Sequence, residues 1–149
     1  MFFRGRTLRS LDPKGRVMLS PEFREILAAR GSEGRVVLTT YDDCVVGIPL
    51  PDWQDAEERL SRMKNASRKV RDFRRLVLGG AEEACLDAQG RIHLSREHMA
   101  YAGIQGEAYI VGQGNSFEIW SPERLNPVLT QNFDDVADAM AETGIDFGF

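Results

Sequence analysis

The side chains best equipped for chemistry in this sequence are two arginines in matched surroundings. Arg16 follows Asp12-Pro13-Lys14-Gly15, and Arg91 follows Asp87-Ala88-Gln89-Gly90, an offset of 75 residues. In each case a carboxylate stands four residues before a guanidinium, with a glycine directly ahead of the arginine. A guanidinium carries five N–H donors in a rigid fork, a shape that suits carboxylates, phosphates and the O6/N7 edge of guanine. Aspartate at the first position of a tight turn bonds the amides that follow it. Proline at the second pre-sets φ, and glycine at the fourth tolerates a left-handed exit. The spacing predicts a type I turn that holds an arginine just past its tip. The blander role for each pair is an ion pair stiffening its own turn, Asp12 with Arg16 and Asp87 with Arg91. The two roles are compatible, with the aspartate orienting the turn and the arginine free to read a ligand.

Other chemistry finds little support. His93 and His98 are the only histidines, and neither stands in a metal-binding or dyad spacing. Ser20 and Ser95 fall at positions where serine caps a helix, not where a nucleophile would sit. Asp42-Asp43 reads as a turn and Glu82-Glu83 as an exposed segment. The string "GQGNS", residues 112–116, lacks the lysine and following helix of a phosphate loop and reads as a hairpin turn. Cys44 and Cys85, the only cysteines, have no C-x-x-C spacing and are expected to be reduced, partly buried thiols. No enzyme activity, metal or cofactor is expected.

The charge distribution points to an anionic partner. Net charge is −4, yet residues 1–80 carry 16 basic against 11 acidic side chains, +5, and residues 81–149 carry 3 against 12, −9. Phosphates respond to the local patch within a Debye length of about 8–10 Å, so the overall sign does not exclude nucleic acid. No apolar run approaches the ~20 residues that span a bilayer. The opening "MFFRGRTLRS" has no apolar signal core, so the expected location is the cytoplasm.

The elements that position the arginines are repeated. Leu11–Gly31 aligns without gaps on Leu86–Gly106 with 8 identities in 21 positions, where chance gives on the order of one or two. In each copy, alternating apolar residues flank the turn and predict a hairpin with the arginine just past its tip. A helix follows, capped by Ser20 or Ser95 and stopped by Gly31 or Gly106, with Phe23, Ile26 and Leu27 facing the core in the first. Each copy ends in a second hairpin, turning at Asp42-Asp43 and at Gly112 to Ser116. One such β-β-α-β-β unit, of ~45 residues, buries too little to stand alone. Two packed together predict a pseudo-two-fold sandwich or barrel with both turns on one face. The expected boundaries are a first unit at 7–54, a helical linker at 55–82, a second unit at 83–126 and an acidic tail at 127–149.

The linker contains "PDWQDAEERLSRM" and "SRKVRDFRRLVLGG". The second is the densest basic run in the chain, capped by Ser67 and stopped at Gly79-Gly80, with Val70, Phe73 and Val77 as its apolar stripe. A solvated or ion-paired face is its expected role, ahead of phosphate contact. In the tail, "SPERL" opens a helical turn, "NFDDVADAMAE" predicts a short amphipathic helix, and "GIDFGF" is expected to be loose, with Phe147 and Phe149 open to a partner subunit.

A two-stranded β-ribbon fits the major groove of B-DNA, where each base pair shows its own donor and acceptor pattern. On this reading Arg16 and Arg91 contact bases and Lys14 a phosphate, while Arg4, Arg6 and Arg9 extend the basic patch. Asp12, Gly15, Asp87 and Gly90 orient the turns. The second copy has Gln89 in the place of Lys14, so its grip is expected to be weaker. The rival reading is a ring-forming scaffold whose basic helix binds an acidic protein.

The strings "MFFRG", "LDPKGRVMLSPEFRE", "VVGIPLPDW", "RRLVLGGAEEACLDAQGRIHLS" and "FEIWSPERL", which together span nearly the whole chain, resemble the MraZ family of transcriptional regulators. The resemblance implies an α+β, β-rich fold of two AbrB/SpoVT-type units, a swapped-hairpin β-barrel with linker helices and a helical tail. It implies DNA binding through Asp12/Arg16 and Asp87/Arg91. It also implies a ring-shaped homo-oligomer, nucleoid-associated, that contacts several short direct repeats upstream of its own division and cell-wall operon, usually as a repressor. His93-Leu94-Ser95, where a more apolar strand ending in proline is expected, and His98-Met99 depart from the family pattern.

Overall fold

The computed structural model describes residues 1–64, 67–146 and 148. Its first repeat runs β1 (Arg6–Ser10), β2 (Arg16–Met18), α1 (Pro21–Ala29), β3 (Arg35–Tyr41) and β4 (Cys44–Pro49). Two helices follow, α2 (Leu50–Ser61) and α3 (Arg68–Val77). The second repeat runs β5 (Glu82–Cys85), β6 (Arg91–His93), α4 (Arg96–Ala102), β7 (Glu107–Gly112) and β8 (Phe117–Trp120). The chain then enters α5 (Pro122–Leu129) and α6 (Phe133–Glu142). The fold is α+β.

The two repeats exchange strands. One six-stranded antiparallel sheet has the order β1-β7-β8-β4-β3-β5, and a two-stranded ribbon pairs β2 with β6. Replacing each strand by its counterpart in the other repeat reverses the order and changes nothing else, so the pseudo-two-fold axis passes between β8 and β4. The expectation of a plain first hairpin in each repeat is corrected here. The turn itself closes, with the Asp12 amide donating to the Arg16 carbonyl at 3.0 Å and the Asp87 amide to the Arg91 carbonyl at 2.9 Å. Beyond it the strands part, β1 to β7 and β2 to β6. Since β1 and β5 are the two edges of the large sheet, the ribbon joins both edges and gives the assembly its barrel-like closure.

Three-residue strands such as β2 and β6 are too short to be stable alone. They form because their central residues are core residues. Val17 and Ile92 face each other in register, and with Leu19 and Leu94 just beyond they are at most 1% exposed. Phe3, Phe23 and Phe117 add a three-ring contact, with centroids 5.0–5.7 Å apart, that ties the N-terminal segment, α1 and β8 together. On the other side of the sheet Val37 packs against Trp53 of α2 and Val77 of α3, and α5 covers Cys44 and Trp120 with Leu125.

Caps fall where serines were read. Ser20, Ser67, Ser95 and Ser121 each accept the amide three residues on. Gly31 ends α1 region with φ +71, but Gly106 does not end α4. That helix stops at Gly103, φ +68, three residues earlier, and Gly106 instead opens β7, its carbonyl accepting the Leu11 amide at 2.9 Å. The second hairpins are as read, and Asp42 and Asp43 both take positive φ, 54° and 65°, as a two-residue turn requires. Cys44 is buried, and burial pushes its thiol well above the ordinary range. Cys85 is exposed, contrary to expectation, because β5 is an edge strand. Phe73, on the apolar stripe of α3, is exposed and stands edge-on to Tyr41. Phe147 and Phe149 lie outside the described residues.

Gly47 tests the packing of the aromatic cluster. It pairs with Phe117 across β4 and β8, and a Cβ there would enter the Phe117 ring. Its φ is not positive, so on backbone grounds alone alanine would stabilise by about 0.4–1 kcal/mol. We expect instead that Gly47→Ala destabilises by about 1–3 kcal/mol through overpacking, and Phe117→Ala by about 3–5 kcal/mol through the cavity it leaves. Urea unfolding followed by circular dichroism reads both, and a stabilised Gly47→Ala would show that the ring is not wedged against this strand.

Candidate nucleic-acid interface

The two turns are built alike down to individual atoms. Asp12 Oδ1 accepts the amides of Lys14 at 3.0 Å and Arg16 at 2.9 Å, and its Oδ2 accepts Arg16 Nε at 2.6 Å. Asp87 Oδ1 accepts the amides of Gln89 and Arg91, both at 2.9 Å, and its Oδ2 accepts Arg91 Nε at 2.8 Å. Gly15 and Gly90 close the turns with φ of +82 and +83, a conformation that disfavours any side chain. The arginine backbone amide is the chief reason each carboxylate is held below its ordinary range. Burial pushes the other way, and the guanidinium and a second amide add to the lowering. Both aspartates are therefore anions at neutral pH, and each arginine is tethered through Nε with its outer nitrogens pointing onward.

The repeats then clasp each other at these turns. The Gly15 carbonyl accepts the Leu94 amide at 2.8 Å, and the Gly90 carbonyl accepts the Leu19 amide at 3.0 Å. In the β2–β6 ladder Arg16 pairs with His93 and Met18 with Arg91, around the central Val17–Ile92 pair. Side chains alternate along a strand, so Val17 and Ile92 fill the core while Arg16, Arg91, Met18 and His93 share the outer face. Arg16 and Arg91 are diagonal neighbours, with Cα atoms about 7–8 Å apart by ladder geometry. Their guanidiniums converge on one oxygen. Asp12 Oδ2, already bonded to Arg16, lies 3.6 Å from Arg91 Nη1. Their side chains stay 34% and 26% exposed, neither sealed inside nor facing apart.

Lys14 is exposed at the tip of the first turn, beside a groove lined by Asp12, Gly15, His93, Arg96 and Met99 among others. Arg4 and Arg6 are elsewhere. Both are exposed, but they sit at the far end of β1, where Phe3 bridges to Gly114 and Arg6 pairs with Val111, about 20 Å of extended chain from Asp12. Arg9 lies between, and the two-residue period turns it to the opposite sheet face from Arg6. Two cations near the turns are not evident from the turn motifs, Arg96 at the start of α4 and Arg24 on α1, whose side chain rests on Gly90. Only the strand exchange reveals them, because it lays the helix of one repeat over the turn of the other.

The family departures have local explanations. Leu94 is core, Ser95 caps α4, and His93 is the exposed partner of Arg16. His98 is 2% exposed, its Nε2 donates to the Gly80 carbonyl at 2.6 Å, and its Nδ1 lies 3.2 Å from Glu82 Oε2, pinning α4 to the start of β5. Among the described residues, no group of three or more His, Cys, Asp or Glu is placed to hold a metal ion, and no helix is long and apolar enough to cross a membrane.

A family model described as "MraZ protein, putative antitoxin-like" matches residues 2–76 and again 77–146, one match per repeat. The chain is 58% identical over 149 residues to a protein named Transcriptional regulator MraZ from Nitratidesulfovibrio vulgaris (strain Hildenborough), covering 100% of both. It is 40% identical over 149 residues to the protein of that name from Maridesulfovibrio salexigens, again covering 100% of both. To that from Serratia proteamaculans it is 38% identical over 123 residues, 81% of this chain and 80% of the relative. A chain matched over its whole length by regulators of one name, with that family's model fitted once to each repeat, belongs to the MraZ family of transcriptional regulators.

Proposed function

We propose that this regulator is a sequence-specific DNA-binding repressor of the division and cell-wall gene cluster. On this reading it works at the nucleoid and grips short promoter repeats through its paired turns. The observation that carries the reading is the convergence of Arg16 and Arg91 on the outer face of a two-stranded ribbon. A ribbon of this kind fits a major groove about 12 Å wide. Each arginine spends Nε on its own aspartate, and Arg16 makes no other side-chain hydrogen bond among the described residues, so both its Nη groups are available to guanine O6 and N7. The aspartate fixes the guanidinium before DNA arrives, which lowers the ordering cost of binding. Lys14 adds a phosphate contact at the rim. Arg4 and Arg6, at the far end of β1, contact backbone away from the bases read.

The reading includes assembly of several copies into a ring, so that several repeats are held at once. Helix α6 buries no residue. It exposes Phe133 and carries Asp134, Asp135, Asp138 and Glu142 with no basic side chain. Helix α3 carries Arg68, Lys69, Arg71, Arg74 and Arg75 against the single acid Asp72, with Phe73, Tyr41 and Met63 partly exposed beside it. An acidic helix with an apolar side and a basic helix with an apolar side are complementary, and we assign α6 of one copy to α3 of the next.

Arg16→Ala is expected to cost about tenfold to a hundredfold in affinity for DNA from upstream of its own coding region, the weight of one bidentate base contact, with an unchanged melting temperature. A gel shift as tight as wild type would remove the basis of this reading. Assembly is checked by sedimentation velocity, where the chain should run well above its 16.8 kDa monomer mass and Phe133→Asp should shift it toward that mass. A monomer at micromolar concentration would rule the ring out.

A further inference from the structure

The second turn lacks a counterpart to Lys14, and the structure points to where its missing charge comes from. Position 89 is glutamine, so the turn's own charges are Asp87 and Arg91, which neutralise each other at 2.8 Å. The first turn has Asp12, Arg16 and Lys14, a net +1. The helix laid over the second turn is α1 of the other repeat, and from it Arg24 rests on Gly90. A Cβ at Gly90 would lie 2.6–2.7 Å from Arg24 Cδ, Cζ and Nε, so the guanidinium lies directly against the glycine. The position equivalent to Arg24 in the second repeat is Met99, whose sulfur takes the matching place over Gly15. The two turns have thus traded partners, lysine in the turn with methionine above it, or glutamine in the turn with arginine above it. Counting what each opposing helix brings, Arg24 takes the second turn to +1, and Arg96 of α4, in the groove beside Lys14, takes the first to +2.

Arg24 is otherwise unemployed. It is half-buried, its side chain makes no hydrogen bond or ion pair among the described residues, and its Nε is fully covered without an acceptor. Other arginines of the chain are tied to acids, Arg30 to Asp52 and Arg75 to Asp72 among them. Withdrawing a guanidinium from water without an anion is costly, and such groups ordinarily pair. A cation kept unpaired beside a turn whose own charges cancel is suited to an anion from outside the chain. We propose that Arg24 is the phosphate contact of the second turn, provided by the helix of the first repeat, so that each turn has a cation of its own for the duplex backbone. The proposal rests on the DNA-binding reading above. On this proposal the cation that Gln89 does not supply comes from α1.

The test compares Arg24→Met, Arg24→Lys and Arg16→Ala in the full chain. The probes are double-stranded DNA from upstream of its own coding region and an unrelated duplex, each titrated by fluorescence anisotropy at several salt concentrations. Methionine is the residue its own counterpart carries, so packing over Gly90 is retained, and melting temperature is measured beside each titration. Arg24→Met is expected to weaken binding to both duplexes by about threefold to tenfold near physiological salt and to reduce the salt slope by about one, as loss of one phosphate contact requires. Arg24→Lys should keep the wild-type slope. If Arg24→Met binds like wild type while Arg16→Ala loses affinity, the assignment of Arg24 fails and the DNA reading stands. If Arg24→Lys loses as much as Arg24→Met, the residue is a packing element and the assignment fails again. Wild-type binding by both Arg16→Ala and Arg24→Met would overturn the DNA reading and this proposal together.

Discussion

Two carbonyl groups, on Gly15 and Gly90, govern the geometry of the whole interface. Each follows a tight turn in a left-handed conformation, and each finds its amide partner in the other repeat, at Leu94 and Leu19. The flanks behave the same way, with Leu11 donating to Gly106 and Leu86 to Gly34. Backbone polar groups at the edge of a core cannot be left unpaired cheaply. A repeat folded alone would orphan them, and would also leave β1 and β5 without β7 and β3. The exchange of strands is therefore how each half meets its own hydrogen-bond requirements, and the fixed juxtaposition of Arg16 and Arg91 is a consequence. One three-residue ladder, centred on Val17 and Ile92, sets how far apart the two guanidiniums stand.

Much of this was legible before any coordinates. The turn chemistry, the serine caps, the Phe23-Ile26-Leu27 stripe and the two-residue Asp42-Asp43 turn all follow from local preference, and local preference agrees with the fold at these places. What local reading missed is pairing. Nothing in "RTLRSLDPKGRVML" states that the strands on either side of a closed turn go to different sheets, because alternation specifies a face and not a neighbour. The same blindness hid the place of Arg24, which lies over a glycine 66 positions away in sequence. Gly106 misled for a simpler reason. Two glycines compete to end α4, and the nearer, Gly103, takes the left-handed position first. Cys85 misled because its short apolar run lies at an edge, where one side of the strand has no partner.

The charge asymmetry between halves takes on a different meaning in the folded chain. Because strands are exchanged, the basic first half and the acidic second half do not form separate bodies. Part of the acidic excess, four carboxylates with no basic side chain among them, lies on α6, on which no residue is buried, while α3 and the neighbourhood of the turns carry basic clusters. Net charge at the turns is modest, since each aspartate cancels one arginine. That arrangement presents a few pre-set donors in place of a broad positive field, which under the proposed reading trades general affinity for selectivity among duplexes.

A frame with two-fold symmetry would by itself favour a target with the same symmetry, since each half presents the same donors in the same pose. The backbone here is close to that limit, as the matched distances around Asp12 and Asp87 attest. The rim is not. Met18 opposes Arg91 where His93 opposes Arg16, and Lys14 corresponds to Gln89. These substitutions leave the placement of the two arginines intact and change only what surrounds each one. Under the proposed reading, a single chain then meets two unlike half-sites with like-placed arginines and unlike rims, so an element with direction along the duplex is a natural target. Direct repeats, all pointing one way, are what a ring of such chains would require, because every copy would meet DNA in the same sense.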